Sequence, residues 1–162
     1  TRGRTASGRA VLYYRVRREE TFDPGAHLQL LLYTVERAHR ESAGAAGRFT
    51  AVVDCRGFSW ATSPPLATMK GAFRILQRHY PLCLGALYVV NASPAVIIAW
   101  RILSPMMSER TRSKVFFVGE GDVADVLREA VGAENLEEEY GGTLPSDFGD
   151  VDAYLAAAPR VV

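Results

Sequence analysis

The sequence predicts an α/β fold built on a mainly parallel sheet. Two observations carry this expectation. The stretches Arg48–Asp54 and Gly85–Asn91 are near-continuous apolar runs rather than alternating ones, as strands covered on both faces require. Between and around them lie segments with apolar residues at helical spacing, three of them opened by an Asp-Pro or Ser-Pro pair.

Taken in order, Ala10–Tyr14 reads as a short strand after Gly8-Arg9. Asp23-Pro24 starts a helix, with Asp capping free N–H groups and Pro suited to the first turn. Leu28, Leu31, Leu32 and Val35 form its apolar stripe, and Gly44 and Gly47 break it. The strand Arg48–Asp54 turns at Arg56-Gly57-Phe58. Ser63-Pro64 opens a second helix whose stripe is Leu66, Met69, Phe73, Leu76 and Tyr80, ended by Pro81. After the strand Gly85–Asn91, Ser93-Pro94 opens a third helix reaching about Met107. Arg112–Val118 reads as the next strand. Asp122 is expected to cap a last helix carrying Val123, Val126, Leu127 and Ala130. Beyond Gly132 the chain reads as acidic and irregular.

The 162 residues suit one domain with a tail, and 48% hydrophobic with 23% charged residues is ordinary globular composition. Disordered, collagenous and coiled-coil classes are excluded. No apolar run reaches the ~18–20 residues that span a bilayer. The opening Thr1-Arg2-Gly3-Arg4 has neither an initiator Met nor an apolar signal, the expectation for an excised piece of a longer protein. Cys55 and Cys83 form neither a CxxC nor a zinc spacing, which fits a reducing compartment.

Net charge is +1, but residues 1–118 carry 17 Lys+Arg against 7 Asp+Glu, and residues 119–162 carry 2 against 11. The first 18 residues hold six arginines and no acid. Such a basic half suits an anionic membrane surface or nucleic acid, or is a dipolar surface without function.

No catalytic set is visible. Asp54-x-x-Gly57 follows a strand, but no GxxxxGK[ST] loop accompanies it, and neither GxGxxG nor GxSxG occurs. Asp54 reads as a strand-end turn residue. His27, His39 and His79 are scattered and read as surface or capping residues; no metal site is expected. Glu137, Glu138 and Glu139 are consecutive and read as a solvated acidic turn. Cys55 and Cys83 read as small buried hydrophobes. One segment stands out. Pro94–Met107 has a single charge, Arg101, and is apolar nearly all round. Such a helix is either buried on every side or meets something apolar on its outer side.

At this point the residues resemble a family. Val52-Val53-Asp54-Cys55-Arg56-Gly57-Phe58 resembles the strand-Asp-x-x-Gly turn of the CRAL-TRIO lipid-binding domain. Tyr80-Pro81 and Gly85 then precede Tyr88-Val89-Val90-Asn91-Ala92-Ser93-Pro94, similar to its strand ending Ile-Asn-Ala-Pro. Trp100–Met106 resembles its gate helix, Thr111-Arg112-Ser113-Lys114-Val115 its Thr-x-Ser-Lys-Ile, and Glu139-Tyr140-Gly141-Gly142 its closing Phe-Gly-Gly. The motifs occur in the family's order over residues 8–145, leaving 146–162 as a C-terminal tail. The family's preceding helical lobe is absent.

The resemblance implies a sheet flooring an apolar pocket, crossover helices on one side, and a gate helix that admits one phospholipid or isoprenoid. Phe49, Ala51, Val53, Leu87, Val89 and Phe116 are then the expected pocket residues. Ile97, Ile98, Trp100, Ile102, Leu103, Met106 and Met107 form the gate, divided between cavity and membrane. Thr111 and Lys114 are the expected headgroup contacts. The protein so implied is not an enzyme, has no cofactor beyond its bound lipid, docks transiently on anionic membranes, and is cytoplasmic and peripheral. It binds no nucleic acid, and its further partners are flanking domains of a longer protein. Where phosphatidylinositol-transfer members have Glu-Arg after Tyr-Pro, this chain has Leu82 and Cys83. Phe49 and Ala51 stand where phosphatidylcholine binders carry small hydroxyls. Both departures argue against those headgroups. The rival reading is a STAS-like regulatory module, suggested by Val52–Phe58 followed by a Ser-started helix. A basic-arm nucleic-acid binder would rest only on the N-terminal arginines, with no stacking platform beside them.

Overall fold

A computed structural model describes residues 1–18, 23–61, 63–80 and 82–146. Four strands, β1 (Val11–Arg15), β2 (Phe49–Asp54), β3 (Leu84–Val90) and β4 (Val115–Val118), form one sheet in the order β1-β2-β3-β4, parallel throughout. The crossovers carry α1 (Pro24–Glu41), α2 (Leu66–His79), and α3 (Pro94–Leu103) with the single turn α4 (Glu109–Arg112); α5 (Val123–Val131) follows β4. Strands in sequential order, joined by crossovers of one hand, put every crossover helix on the same side.

That side is the front. There Leu12, Phe49 and Ala51 pack with Val35 and Ala38 of α1, with Leu76 of α2 against them. Val89 packs with Val96 of α3, with Val53, Leu87 and Val115 alongside. On the back, Val11, Val52, Val90 and Val118 pack with Leu127 and Val131 of α5 and with Leu136 and Tyr140. The sheet is covered on both faces, which is why its strands are apolar without alternation.

Local chemistry explains the helix ends. Asp23 accepts from Ala26 N at 2.8 Å, as a capping Asp should. α3 stops at Leu103, short of the expected Met107, and Ser104–Met106 continue as a 3-10 turn. Pro105 has no N–H to return to the preceding turn, so the α-helix cannot run on. The strand expected from Arg112 begins only at Val115. Ser108 caps Glu109–Arg112 instead, accepting from Thr111 N at 3.2 Å. Asp122 makes no side-chain cap bond to α5; a 3-10 turn at Glu120–Asp122 leads into that helix. Pro81 and residues 147–162, nearly all of the expected tail, lie outside the described residues.

The segment after Gly132 is packed rather than loose. Leu136 and Tyr140 are buried, and Glu137 pairs with Leu144 in a parallel bridge. Gly142 lies so close to this segment that an added Cβ would stand 1.9 Å from Leu136 O. Among the described residues no helix is long and apolar enough to cross a membrane.

Candidate functional site

A parallel sheet has two chemically distinct ends, and here both are charged. At the strands' N-terminal ends Arg9, Arg48 and Lys114 stand just before β1, β2 and β4. Lys114 Nζ donates to Leu84 O. Arg9 lies over Gly85, where an added Cβ would come 3.0 Å from its Nη1. Burial, then the positive charges of Arg110, Arg48 and Arg9, push the Lys114 ammonium below its usual pKa, against a smaller opposing effect from Cys83. Four cations converge where an anion would relieve their repulsion. Thr111 is one turn away, its Oγ1 hydrogen-bonded with Ser108 Oγ at 2.9 Å and its carbonyl accepting from Lys114 N.

The C-terminal ends carry a different structure. Asp54, fully buried at the end of β2, accepts from Arg56 N at 3.1 Å, Arg56 Nε at 2.8 Å, Asn91 Nδ2 at 2.9 Å and Tyr140 Oη at 3.1 Å. Burial alone would raise its pKa; the bonds from Arg56 and Asn91 outweigh that and hold it at about 2. Asn91 sits at φ 54, a left-handed conformation that Asn tolerates better than most residues. Arg15 is sandwiched beside the stacked rings of Tyr13 and Tyr140, 5.7 and 5.5 Å from their centroids, and pairs with buried Glu137. Glu139 takes Arg15 Nε at 3.2 Å, Arg56 Nη2 at 2.5 Å and also Arg17. The three glutamates are therefore not a solvated turn. Two of them clamp the C-terminal segment onto the ends of β1 and β2.

The expected pocket residues divide. Register aligns Tyr14, Val53, Val89 and Phe117 in one row, and Tyr13, Val52, Tyr88 and Phe116 in the next. Phe49, Ala51, Val53, Leu87 and Val89 share the front face under α1, α2 and α3. Phe116 does not. It points to the back and stacks on Tyr88 at 5.4 Å. The strand begins after a helical turn, so the motif's spacing did not carry the alternation of β4; Phe117 occupies the front position. Phe116 instead lines a back-face groove of about 360 Å³ with Tyr88, Val118, Asp122, Asp125 and Val126.

The gate residues also divide. Val96, Ala99 and Leu103 of α3 are buried, as is Met107 beyond it. Ile97, Trp100 and Met106 are half-buried, with Trp100 edge-on to Phe117 at 5.6 Å. Ile98 and Ile102, one turn apart, are 50% and 39% exposed. The histidines take structural places: His39 Nδ1 lies 2.6 Å from Gly47 O, His27 lies edge-on to Tyr14, and His79 is exposed. Among the described residues no group of three or more His, Cys, Asp or Glu could hold a metal ion. Cys55 and Cys83 are buried and not joined in a disulfide; burial first, then the Asp54 charge, pushes the Cys55 thiol to about 11, and burial raises Cys83.

Comparison with known proteins gives the following. The profile of the CRAL/TRIO domain matches residues 1–142. The SEC14 cytosolic factor of Kluyveromyces lactis is 29% identical over 106 residues, 65% of this chain and 35% of that protein. Clavesin-1 of Rattus norvegicus is 25% identical over 120 residues, 73% of this chain and 33% of that protein. Patellin-5 of Arabidopsis thaliana is 35% identical over 77 residues, 48% of this chain and 11% of that protein. The crystal structure of Sfh5 superposes with a TM-score of 0.66 at 22% identity, covering 90% of this chain and 54% of that one. The chain thus spans about a third of the length of the first two curated relatives.

Proposed function

Since this chain belongs to the CRAL/TRIO domain family, a family of lipid-binding and lipid-transfer domains, we propose that it holds one phosphate-bearing lipid between the front face of the sheet and α3. Family membership replaces the STAS-like reading. The observation that carries the proposal is α3 itself. Its Val96 packs on Val89 of the sheet and Ala99 and Leu103 are buried, while Ile98 and Ile102 are exposed as an outward apolar stripe. A helix apolar on both sides suits a gate between a hydrophobic ligand and a bilayer.

In this reading the acyl chains take the front-face side of the sheet, displacing the contacts that α3 makes with Val89 and Val53. The phosphate lies at the N-terminal ends of the strands, among Lys114, Arg9, Arg48 and Arg110. A Lys ammonium and Arg guanidinium groups pair well with phosphate oxygens. Thr111 Oγ1 turns from Ser108 to give one hydrogen bond. The work is binding and exchange without covalent chemistry, with α3 docking transiently on anionic membranes. SEC14 cytosolic factor, by its name, is cytosolic, and we extend that location to this chain.

Native mass spectrometry tests this. The purified protein, incubated with vesicles of mixed phosphatidylinositol, phosphatidylcholine and phosphatidic acid and re-isolated, should carry one phospholipid per chain. Protein that stays lipid-free against these vesicles, and against squalene and tocopherol, refutes the carrier reading. Uptake of the isoprenoids alone refutes the phosphate site and leaves the carrier.

A further inference from the structure

Among the described residues the edge of the sheet at β4 is open. β4 pairs with β3 on one side, and among the described residues no strand pairs with the other. The N–H of Leu87 donates to Lys114 O at 2.8 Å, which sets the phase of the ladder. In a parallel ladder alternate residues direct both backbone groups to the same neighbour. Val115 and Phe117 therefore turn their N–H and C=O groups to the open side. Edge strands are commonly guarded by an inward-pointing charge, a proline or a bulge. Val115-Phe116-Phe117-Val118 has none, and Phe116 and Phe117 are 46% and 38% exposed.

The ends of this edge have opposite charge. Arg110, Arg112 and Lys114 precede the strand; Glu120, Asp122 and Asp125 follow it. A second copy turned about a two-fold axis brings the basic end of each against the acidic end of the other. A partner of one sign would meet repulsion at one end.

We propose that β4 is a self-association edge, at which two copies of this chain pair antiparallel about a two-fold axis through Phe116. Val115 then exchanges two hydrogen bonds with the partner's Phe117, and Phe116 packs on the partner's Phe116 beside Tyr88. The same axis sets Arg112 opposite the partner's Glu120. The axis runs perpendicular to the sheet, so the two sheets join as eight strands and both α3 helices stand on the same side. This inference stands independently of which ligand the front face takes.

Sedimentation equilibrium of the purified chain over a wide concentration range tests it. A reversible dimer is expected. Val115→Pro removes an outward N–H without touching the β3 ladder, a place where an edge strand tolerates proline. The dimer loses two hydrogen bonds, one at each symmetric position, so association should fall on the order of tenfold or more. Arg112→Glu and Glu120→Arg should each weaken the dimer, and the two together should restore it. The charge pair reports even if the proline variant misfolds, which circular dichroism reveals. Amide exchange of the unaltered protein should show concentration-dependent protection at Val115 and Phe117. A monomer at every concentration overturns the proposal, whether its β4 amides are open or covered by another segment. A dimer indifferent to these substitutions, with Val115 and Phe117 still exchanging freely, overturns it equally.

Discussion

Asp54 shows how one residue can be read correctly for place and wrongly for weight. It does end a strand, but it also gathers Arg56, Asn91 and Tyr140 in a fully buried position. Its carboxyl binds a proton more weakly in the folded chain, near pH 2, than at its ordinary 3.8. The unfolded chain therefore takes up that proton first as pH falls. The stabilisation, on the order of 2 kcal/mol, is complete above the ordinary carboxylate range and is lost between about pH 4 and pH 2. Acid unfolding followed by fluorescence should show this loss, and Asp54→Asn should flatten it while lowering stability at neutral pH. Tyr140→Phe removes one bond to the charged carboxylate and should cost about 1.5 kcal/mol in chemical denaturation. At the other end of the strands, Lys114→Ala should cut retention of an anionic phospholipid on the order of tenfold in a transfer assay, the loss of one charge-assisted contact. Retention of a neutral isoprenoid should not change.

Among the elements, α3 and the closing Gly141-Gly142 segment are tied most closely to the proposed work. Ile98 and Ile102 face outward, so Ile98→Asp with Ile102→Asp should leave the fold intact. Flotation with vesicles should show binding reduced by on the order of tenfold per residue, from lost apolar burial. Trp100→Ala removes the ring edge-on to Phe117 and should slow ligand exchange. Unchanged vesicle binding in the double Asp variant would show that α3 is not the docking element. Gly142→Ala acts differently. Its Cβ would press on Leu136 backbone atoms, which cannot swing aside as a side-chain tip can. Thermal denaturation should show a loss of about 2 kcal/mol or more, with the 133–146 segment loosening first in amide exchange.

For the whole molecule, part of the charge asymmetry of the chain folds onto itself. Arg15, Arg17 and Arg56 from the basic part meet Glu137 and Glu139 from the acidic part. Among the cations that stay available for an anionic surface or ligand is the group at the strands' N-terminal ends: Arg9, Arg48, Arg110 and Lys114. Binding to anionic vesicles should weaken as salt rises, since the screening length falls from about 10 Å at 0.1 M to about 3 Å at 1 M. Acid unfolding should respond less to the same salt, because Arg15, Glu137 and Asp54 are buried. Equal binding to neutral and anionic vesicles at low salt would remove the electrostatic part of docking.

Much of the fold was legible because its signals are local. Apolar runs without alternation mark β2 and β3 as strands buried on both faces, Asp23-Pro24 marks a helix start by capping and by proline's fixed φ, and Ser93-Pro94 marks another by the proline. The five motifs in order were enough to point to the family and its parallel sheet. Other features rest on where distant parts of the chain meet. A run of three glutamates reads the same whether solvated or buried; only the approach of Arg15, Arg17 and Arg56 decides it. The facing of β4 depends on where the preceding turn ends, and one residue of difference sends Phe116 to the back and Phe117 to the front. Lys114 was visible from its motif, but its neighbours Arg9 and Arg48 stand beside it because parallel strands bring their starts together. Local sequence carries period and capping, which are properties of a few consecutive residues. Which charges cancel and which remain is decided by the tertiary structure, because electrostatic pairing depends on distance in space.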